Sequence, residues 1–177
     1  TLDHEKRKVP AGSLFICDAE EPIALAGVMG GTDSEISEAT QNVLLESAWF
    51  DPATIRRTSK ELGLQTDASY RFERGVDPNI TLTGGMRCAE LIAELTGGEL
   101  VNGYKDEHPV KSEPRKLTLR REYLNKILGT DFSLQDASSI LERLEIETTA
   151  SNEDALTCTI PTFRPDLERE VDLVEEV

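Results

Sequence analysis

A break in the pattern constrains this chain more than any single motif. Residues 105–114, Lys105-Asp106-Glu107-His108-Pro109-Val110-Lys111-Ser112-Glu113-Pro114, contain two prolines, mostly polar side chains and no apolar period. Such a segment does not run through the middle of a helix or a sheet, so a domain boundary belongs near Ser112. Each side must then bury its own core, one from residues 1–111 and one from residues 112–177. At 177 residues with 38% hydrophobic side chains, the chain has enough for a modest core in each. Helical and strand patterns interleave on both sides without an internal repeat. The expectation is an α+β protein: a mixed-sheet, α/β-layered first domain followed by a small helix-and-strand domain.

Leu14-Phe15-Ile16-Cys17 and Pro22-Ile23-Ala24-Leu25-Ala26 are short apolar runs bounded by acids and glycines, as two buried strands joined by a tight turn would be. Residues 42–50 read as a third strand. Asp51-Pro52 supplies an N-cap with proline at the first helical position; Ile55, Ser59 and Leu62 share one face, and Gly63 closes the helix. A second helix begins near Pro78, with Cys88, Leu91, Ile92 and Leu95 at helical spacing, and ends at Gly97-Gly98. Leu100-Val101 then starts a closing strand. Past the boundary, Tyr123, Leu124, Ile127 and Leu128 form a short helix stopped by Gly129. Ser133 and Asp136 match a capping box ahead of the stripe Leu134, Ala137, Ile140, Leu141 and Leu144. Leu156-Thr157-Cys158-Thr159-Ile160 alternates like a half-buried strand, and Asp166, after Pro165, is placed to N-cap the last helix.

Composition excludes several classes of function. No apolar run approaches the roughly 20 residues that span a bilayer, and Thr1-Leu2-Asp3-His4-Glu5-Lys6 lacks the apolar core of a signal peptide, which makes the cytoplasm the default. Cys17, Cys88 and Cys158 are far apart and odd in number, so they read as small core residues rather than a disulfide framework or metal site. His4 and His108 lie in charged, loop-like sequence, which argues against a histidine-centred metal cluster or a Ser-His-Asp triad within the chain. A net charge of −15 argues against a general grip on nucleic acid. The charge is uneven, however. Residues 10–55 hold eight acids and no Lys or Arg, while Arg56, Arg57, Lys60, Arg71 and Arg74 gather just beyond, so contact with RNA should start there.

Three groups of residues admit a functional and a structural reading. Gly27, Gly30 and Gly31 suit either a loop that lets backbone approach a ligand or a turn between strands. No Gly-Lys-Ser/Thr follows, which excludes a P-loop. Glu46 interrupts Val43-Leu44-Leu45-Glu46-Ser47-Ala48-Trp49-Phe50, where alternation puts Leu44, Glu46 and Ala48 on one face. With both faces covered, its carboxylate must be paired or await a ligand; on an edge strand it would sit in water. Asp172, Glu175 and Glu176 share one helical face and repel, so they form a solvated acidic face or need a compensating cation.

The run Gln65-Thr66-Asp67-Ala68-Ser69-Tyr70-Arg71-Phe72-Glu73-Arg74-Gly75-Val76-Asp77-Pro78 is polar, charged and without a clean period, which reads as a functional loop. Together with Gly27-Val28-Met29-Gly30-Gly31 and Asn42-Val43-Leu44-Leu45-Glu46-Ser47-Ala48, it closely resembles the editing domain of the β subunit of bacterial phenylalanyl-tRNA synthetase. Pro161-Thr162-Phe163-Arg164-Pro165-Asp166-Leu167 and Asp172-Leu173-Val174-Glu175-Glu176-Val177 resemble the end of the small domain that follows it. The resemblance covers essentially the whole chain and implies an excised piece of a larger subunit: an N-terminally truncated editing domain over residues 1–111 and the small domain, of nucleic-acid-binding-like fold, over residues 112–177.

The resemblance implies proofreading hydrolysis of mischarged tyrosyl-tRNA(Phe) in support of phenylalanyl-tRNA aminoacylation. Gly27, Gly30, Thr66 and Ala68 would line the amino-acid pocket, and Glu46 would meet the tyrosine hydroxyl. It assigns Asp166, Asp172, Glu175 and Glu176 to magnesium, shared with the catalytic α subunit. ATP would be used by the full enzyme and not bound by this piece. The implied partners are that α subunit, in a heterotetramer of two α and two β subunits, and tRNA(Phe), with no membrane. No catalytic residue is identified; the family's pocket histidine lies upstream of Thr1. Arg71 and Arg74 suit either the tRNA backbone or local pairs with Asp67, Glu73 and Asp77. A different class of function, a non-catalytic module docking tRNA or the partner subunit, would draw on Lys116, Arg120, Arg121 and Lys126, against the opposition of the acidic residues 166–176.

Overall fold

In the computed structural model, which describes residues 1–109 and 111–177, three helices start on a side chain that accepts from a free backbone amide and three stop at a left-handed glycine. Helix α1 (Pro52–Leu62) starts on the Asp51 carboxylate, which accepts from the Thr54 amide at 2.8 Å, and stops at Gly63 with φ 63°. The fold divides into two units, Thr1–Lys105 and Asp106–Val177.

In the first unit, β1 (Phe15–Cys17), β2 (Pro22–Leu25) and β3 (Met29–Gly30) form a three-stranded sheet in that order. Where a mixed sheet was expected, both pairings are antiparallel, with Phe15 opposite Leu25 and Leu25 opposite Met29. Gly27, at φ 67°, makes the turn between β2 and β3 that residues with a Cβ rarely adopt. Leu25, Val28, Ile55 and Leu64 form the core, flanked by Phe50 and Phe72, whose rings meet edge to face at 5.0 Å. Helix α2 (Asp67–Phe72) follows, and α3 (Thr81–Thr96) closes at Gly97 with φ 69°.

Several expectations fail in this unit. Residues 42–50 form no strand, and Leu44 is 99% exposed. Leu100 and Val101 form no strand either. The stripe Cys88, Leu91, Ile92 and Leu95 is helical, yet no residue of α3 is buried and Leu95 is 83% exposed. Cys17 and Cys88 are exposed; only Cys158 is a core residue. The reason is common to all. Periodicity says which side of an element would be buried, but a ladder or a facing surface must be present to bury it.

The second unit supplies those partners. Strands β4 (Arg115–Arg120), β5 (Glu147–Asn152) and β6 (Ala155–Ile160) form an antiparallel sheet in the order β4-β6-β5, with Leu117 opposite Cys158 and Leu119 opposite Leu156. Helix α4 (Arg121–Leu128) ends at Gly129, and α5 (Leu134–Arg143) begins with the Ser133–Asp136 capping box. Helix α6 (Glu170–Glu176) buries Leu173 and Val174. Leu119, Leu124, Ala137, Leu141, Ile146, Cys158 and Leu173 are fully buried in one core. Asp166 does not cap α6. Arg169 is the N-cap residue, and the Asp172 carboxylate accepts from the amides of Arg169 at 2.7 Å and Glu168 at 3.0 Å.

Candidate functional site

Residues 65–78, expected as a loop, contain helix α2, and its cap organises the site. The Thr66 hydroxyl accepts from the Ser69 amide at 3.1 Å, while the Ser69 hydroxyl accepts from the Thr66 amide at 2.9 Å. This reciprocal cap is the signal that sequence reading missed, because a Ser at the third helical position stands in for the usual Glu or Gln. The same Thr66 hydroxyl donates to the Val28 carbonyl at 2.7 Å. One side chain thus ties the Gly27–Gly30 turn to the first turn of α2, where Ala68 sits half-buried. Its single donor is consumed; one lone pair is left to accept.

Packing demands glycine at Gly27 and leaves little room at Gly30. A Cβ on Gly27 would lie 2.9 Å from Ile55 Cδ1 and 3.0 Å from Phe50 Cδ2. On Gly30 it would lie 3.1 Å from Leu2 Cδ1, and the Leu2 amide donates to the Gly30 carbonyl at 3.0 Å. Gly30 lines a cleft of about 400 Å³ with Thr1, Arg7, Phe15 and Leu25; Gly27, Glu46, Thr66 and Ala68 do not line it.

Glu46 lies in an irregular segment held farther along. The Ser47 hydroxyl donates to the Thr81 carbonyl at 2.7 Å, and Phe50 packs on Phe72. Among the described residues the Glu46 side chain makes no hydrogen bond or ion pair, and none joins it to Gly27, Gly30, Thr66 or Ala68. It is exposed on one side, yet neighbouring protein atoms desolvate the carboxyl enough to raise its pKa above the usual value. A carboxyl so placed gains from any donor brought to it.

The basic residues beyond Ile55 divide into engaged and free. Arg74 bonds Glu73 at 2.7 Å and the Tyr70 carbonyl at 2.8 Å, and its guanidinium stands 3.5 Å from the Tyr70 ring centroid. Arg57 reaches the Gly12 carbonyl at 3.4 Å. The side chains of Arg56, Lys60 and Arg71 are exposed and make no ion pair or hydrogen bond among the described residues.

The second unit's acids are arranged differently from a cation site. The Arg164 guanidinium bonds Asp166 at 2.7 and 3.0 Å and Glu176 at 2.6 Å, which holds the Asp166 carboxyl below its usual range. Asp172 is lowered by the Glu168 and Arg169 amides it caps, and Glu175 is exposed. Among the described residues no three His, Cys, Asp or Glu side chains gather as a metal would require. The four acids therefore do not fit a magnesium ion as folded. Of the basic residues nearby, Arg120 forks onto Glu170 at 2.6 and 3.0 Å and Arg121 pairs with Asp131 at 3.1 Å. Among the described residues no helix is long and apolar enough to cross a membrane.

Comparison with known families gives two matches: a B3/4 domain over residues 1–97 and a tRNA synthetase B5 domain over residues 117–177. The phenylalanine–tRNA ligase beta subunit of Salinibacter ruber is 52% identical over 177 residues, which is 100% of this chain and 21% of that protein. The beta subunits of Geobacter sulfurreducens and Thermotoga maritima are 46% and 43% identical over 100% and 99% of the chain, each with 22% of the relative covered. The chain thus spans about a fifth of the length of the relatives it matches.

Proposed function

The chain belongs to the B3/4 domain family, and on that premise we propose that it acts within a phenylalanine–tRNA ligase β subunit to clear mischarged tyrosyl-tRNA(Phe) by hydrolysis. The observation that carries this reading is the Thr66–Val28 bond, which gathers the glycine turn and the start of α2 into one rigid frame. The partners proposed are the catalytic α subunit, in a heterotetramer of two α and two β subunits, and tRNA(Phe), in the cytoplasm. ATP is used where phenylalanine is activated, which is assigned to the α subunit. Magnesium is proposed for the complete enzyme, and no step here passes through it.

The selection logic is physical. A pocket shaped for phenylalanine cannot strongly reject an analogue that only adds a hydroxyl, whereas a second site that bonds the hydroxyl can select it. Glu46 is assigned that role: its partly desolvated, unpartnered carboxylate accepts a hydrogen bond from the phenol O–H, and phenylalanine would leave it without a partner. Ala68 leaves room for a ring, and Thr66, with its donor committed to Val28, can only accept, as from a substrate ammonium. Gly27 and Gly30 keep the turn close to Ile55, Phe50 and Leu2. None of these five residues is assigned as nucleophile or general base, and activation of the attacking water is assigned to backbone, to the terminal hydroxyls of the RNA or to a group outside the chain.

The test is deacylation of tyrosyl- and phenylalanyl-tRNA(Phe) by the complete enzyme carrying Glu46→Ala. Discrimination should weaken by roughly 10-fold or more, the scale of one buried charged hydrogen bond. Unchanged selectivity would remove Glu46 from the site. Ala68→Trp should abolish clearance of tyrosyl-tRNA while phenylalanine charging continues.

A further inference from the structure

We infer that the exposed sides of α1 and α2 form the surface on which the RNA lands before its end enters the site, with Arg56, Lys60 and Arg71 on phosphates and the Tyr70–Arg74 stack under a base. This deepens the proposed function and rests on it for the identity of the RNA.

Three independent observations converge on these two helices, which pack against each other in the first unit. Charge is segregated: residues 10–55 have no Lys or Arg, and five basic residues follow within residues 56–74 of a chain whose net charge is −15. In so acidic a protein a basic helix pair is the place where a phosphate chain meets the least repulsion. Next, three of these cations are uncommitted. Arg56 and Lys60, one turn apart on α1, and Arg71 on α2 are exposed and bond no acid among the described residues, although Glu61, Asp67 and Glu73 lie close in sequence. In the second unit Arg115, Arg120, Arg121, Arg164 and Arg169 pair with carboxylates, and Lys116, Lys126 and Arg143, which pair with none among the described residues, are spread over a strand and two helices. Free cations are available to a ligand; paired ones must first give up a bond.

The third observation is the aromatic. Tyr70 is 58% exposed, and the Arg74 guanidinium stacks on its ring at 3.5 Å, held there by Glu73 and the Tyr70 carbonyl. An exposed ring with a guanidinium fixed on it offers a preformed platform for an unpaired base, by ring stacking and by stacking on the guanidinium plane. Thr66, the N-cap of α2, begins the same helix that carries Tyr70 and Arg71, so a base stacked there lies on the element whose first turn carries Thr66 and Ala68, the residues proposed for amino-acid binding.

The test is fluorescence anisotropy of the 177-residue chain with a non-aminoacylated acceptor-stem minihelix RNA bearing a single-stranded 3′ end, from low to moderate salt. With Arg56→Glu, Lys60→Glu and Arg71→Glu combined, affinity should fall at least 10-fold and the slope of log K against log salt should lessen by roughly 2, the loss of three phosphate contacts. Tyr70→Ala should weaken binding roughly 5-fold or more with the slope unchanged, and Tyr70→Phe should bind as the parent does. Circular dichroism checks that each variant is folded. The surface is overturned if the parent chain does not bind the RNA at low salt. It is also overturned if the triple variant keeps the parent slope, or if Lys116→Glu with Lys126→Glu in the second unit removes binding instead. Because the RNA carries no amino acid, these outcomes are independent of the deacylation result. Binding that behaves as expected while Glu46 proves irrelevant to selectivity would keep the surface and discard the editing role.

Discussion

The two units have comparable amounts of secondary structure but very different cores. The second encloses eleven buried residues between its sheet and helices α4, α5 and α6, with Leu119, Leu141 and Leu173 inaccessible to solvent. The first gathers four, and leaves Leu44, Leu95 and Val101 almost wholly in water. Both units have amphipathic elements. What separates them is that in the second the sheet and three helices close on a common core, although Ile127 and Phe163 stay exposed. Stability should therefore be concentrated in the second unit, and adaptable, ligand-facing backbone in the first.

The sharpest way to break this contrast is to truncate one leucine in each. Leu141→Ala should cost about 2–5 kcal/mol in urea denaturation, since it removes a fully enclosed side chain, whereas Leu44→Ala should change stability by less than about 0.5 kcal/mol. Equal costs would mean that Leu44 is covered in solution. Within the first unit, Gly27→Ala should cost about 1–3 kcal/mol, because it combines a positive φ with a Cβ driven into Ile55 and Phe50. Gly63→Ala, at a similar φ but facing open space, should cost about 1 kcal/mol. If the two are equal, Ile55 and Phe50 yield freely.

Titration sharpens the comparison by sign. Asp172 and Asp166 have carboxyls held low by backbone amides and by Arg164, so their contribution is present above the ordinary carboxylate pKa and is lost as pH falls through the lowered values. Glu46 behaves oppositely. Desolvation raises it, so its stabilising contribution is complete below the ordinary value and is lost as pH rises through the raised one. Asp172→Asn should therefore destabilise at neutral pH and much less in acid, while Glu46→Gln should stabilise slightly at neutral pH. Urea midpoints measured across pH 3–7 would show both, and parallel curves for the two variants would refute the assignment. The smallest effect is expected from magnesium. Calorimetric titration of the chain should give no saturable heat, because Arg164 already occupies the oxygens of Asp166 and Glu176. Stoichiometric binding would show that the guanidinium releases them.

Legibility in the sequence followed the range of the interaction. Asp51-Pro52, Gly63, Gly97, Gly129 and the Ser133–Asp136 box are local devices, and every one ends or starts a helix where the residues say it should. The Thr66–Ser69 cap is equally local and was overlooked because the helix it starts, Asp67–Phe72, is too short to show a period. Strands β4 and β5 were not legible: Arg115–Arg120 and Glu147–Asn152 are mostly polar and exposed, and they are strands because β6 pairs with both. The residues proposed for the editing site were singled out by resemblance. Packing shows why Gly27 is glycine, and the bond to Val28 shows what the Thr66 hydroxyl does.

The sequence by itself determined the α+β class, the positions of the strong caps, the family and the uneven charge that sets the basic helices apart. Each of these depends on residues a few positions apart, or on composition, and so survives without knowledge of the fold. Only the tertiary structure decided which apolar stripes are buried, that Asp166 bonds Arg164 rather than capping α6, and that Thr66 joins α2 to the Val28 carbonyl. Those outcomes hang on contacts between residues far apart in the chain or on competition among neighbouring acids for one guanidinium. A hydrogen bond or a buried face exists only when its partner is brought within reach.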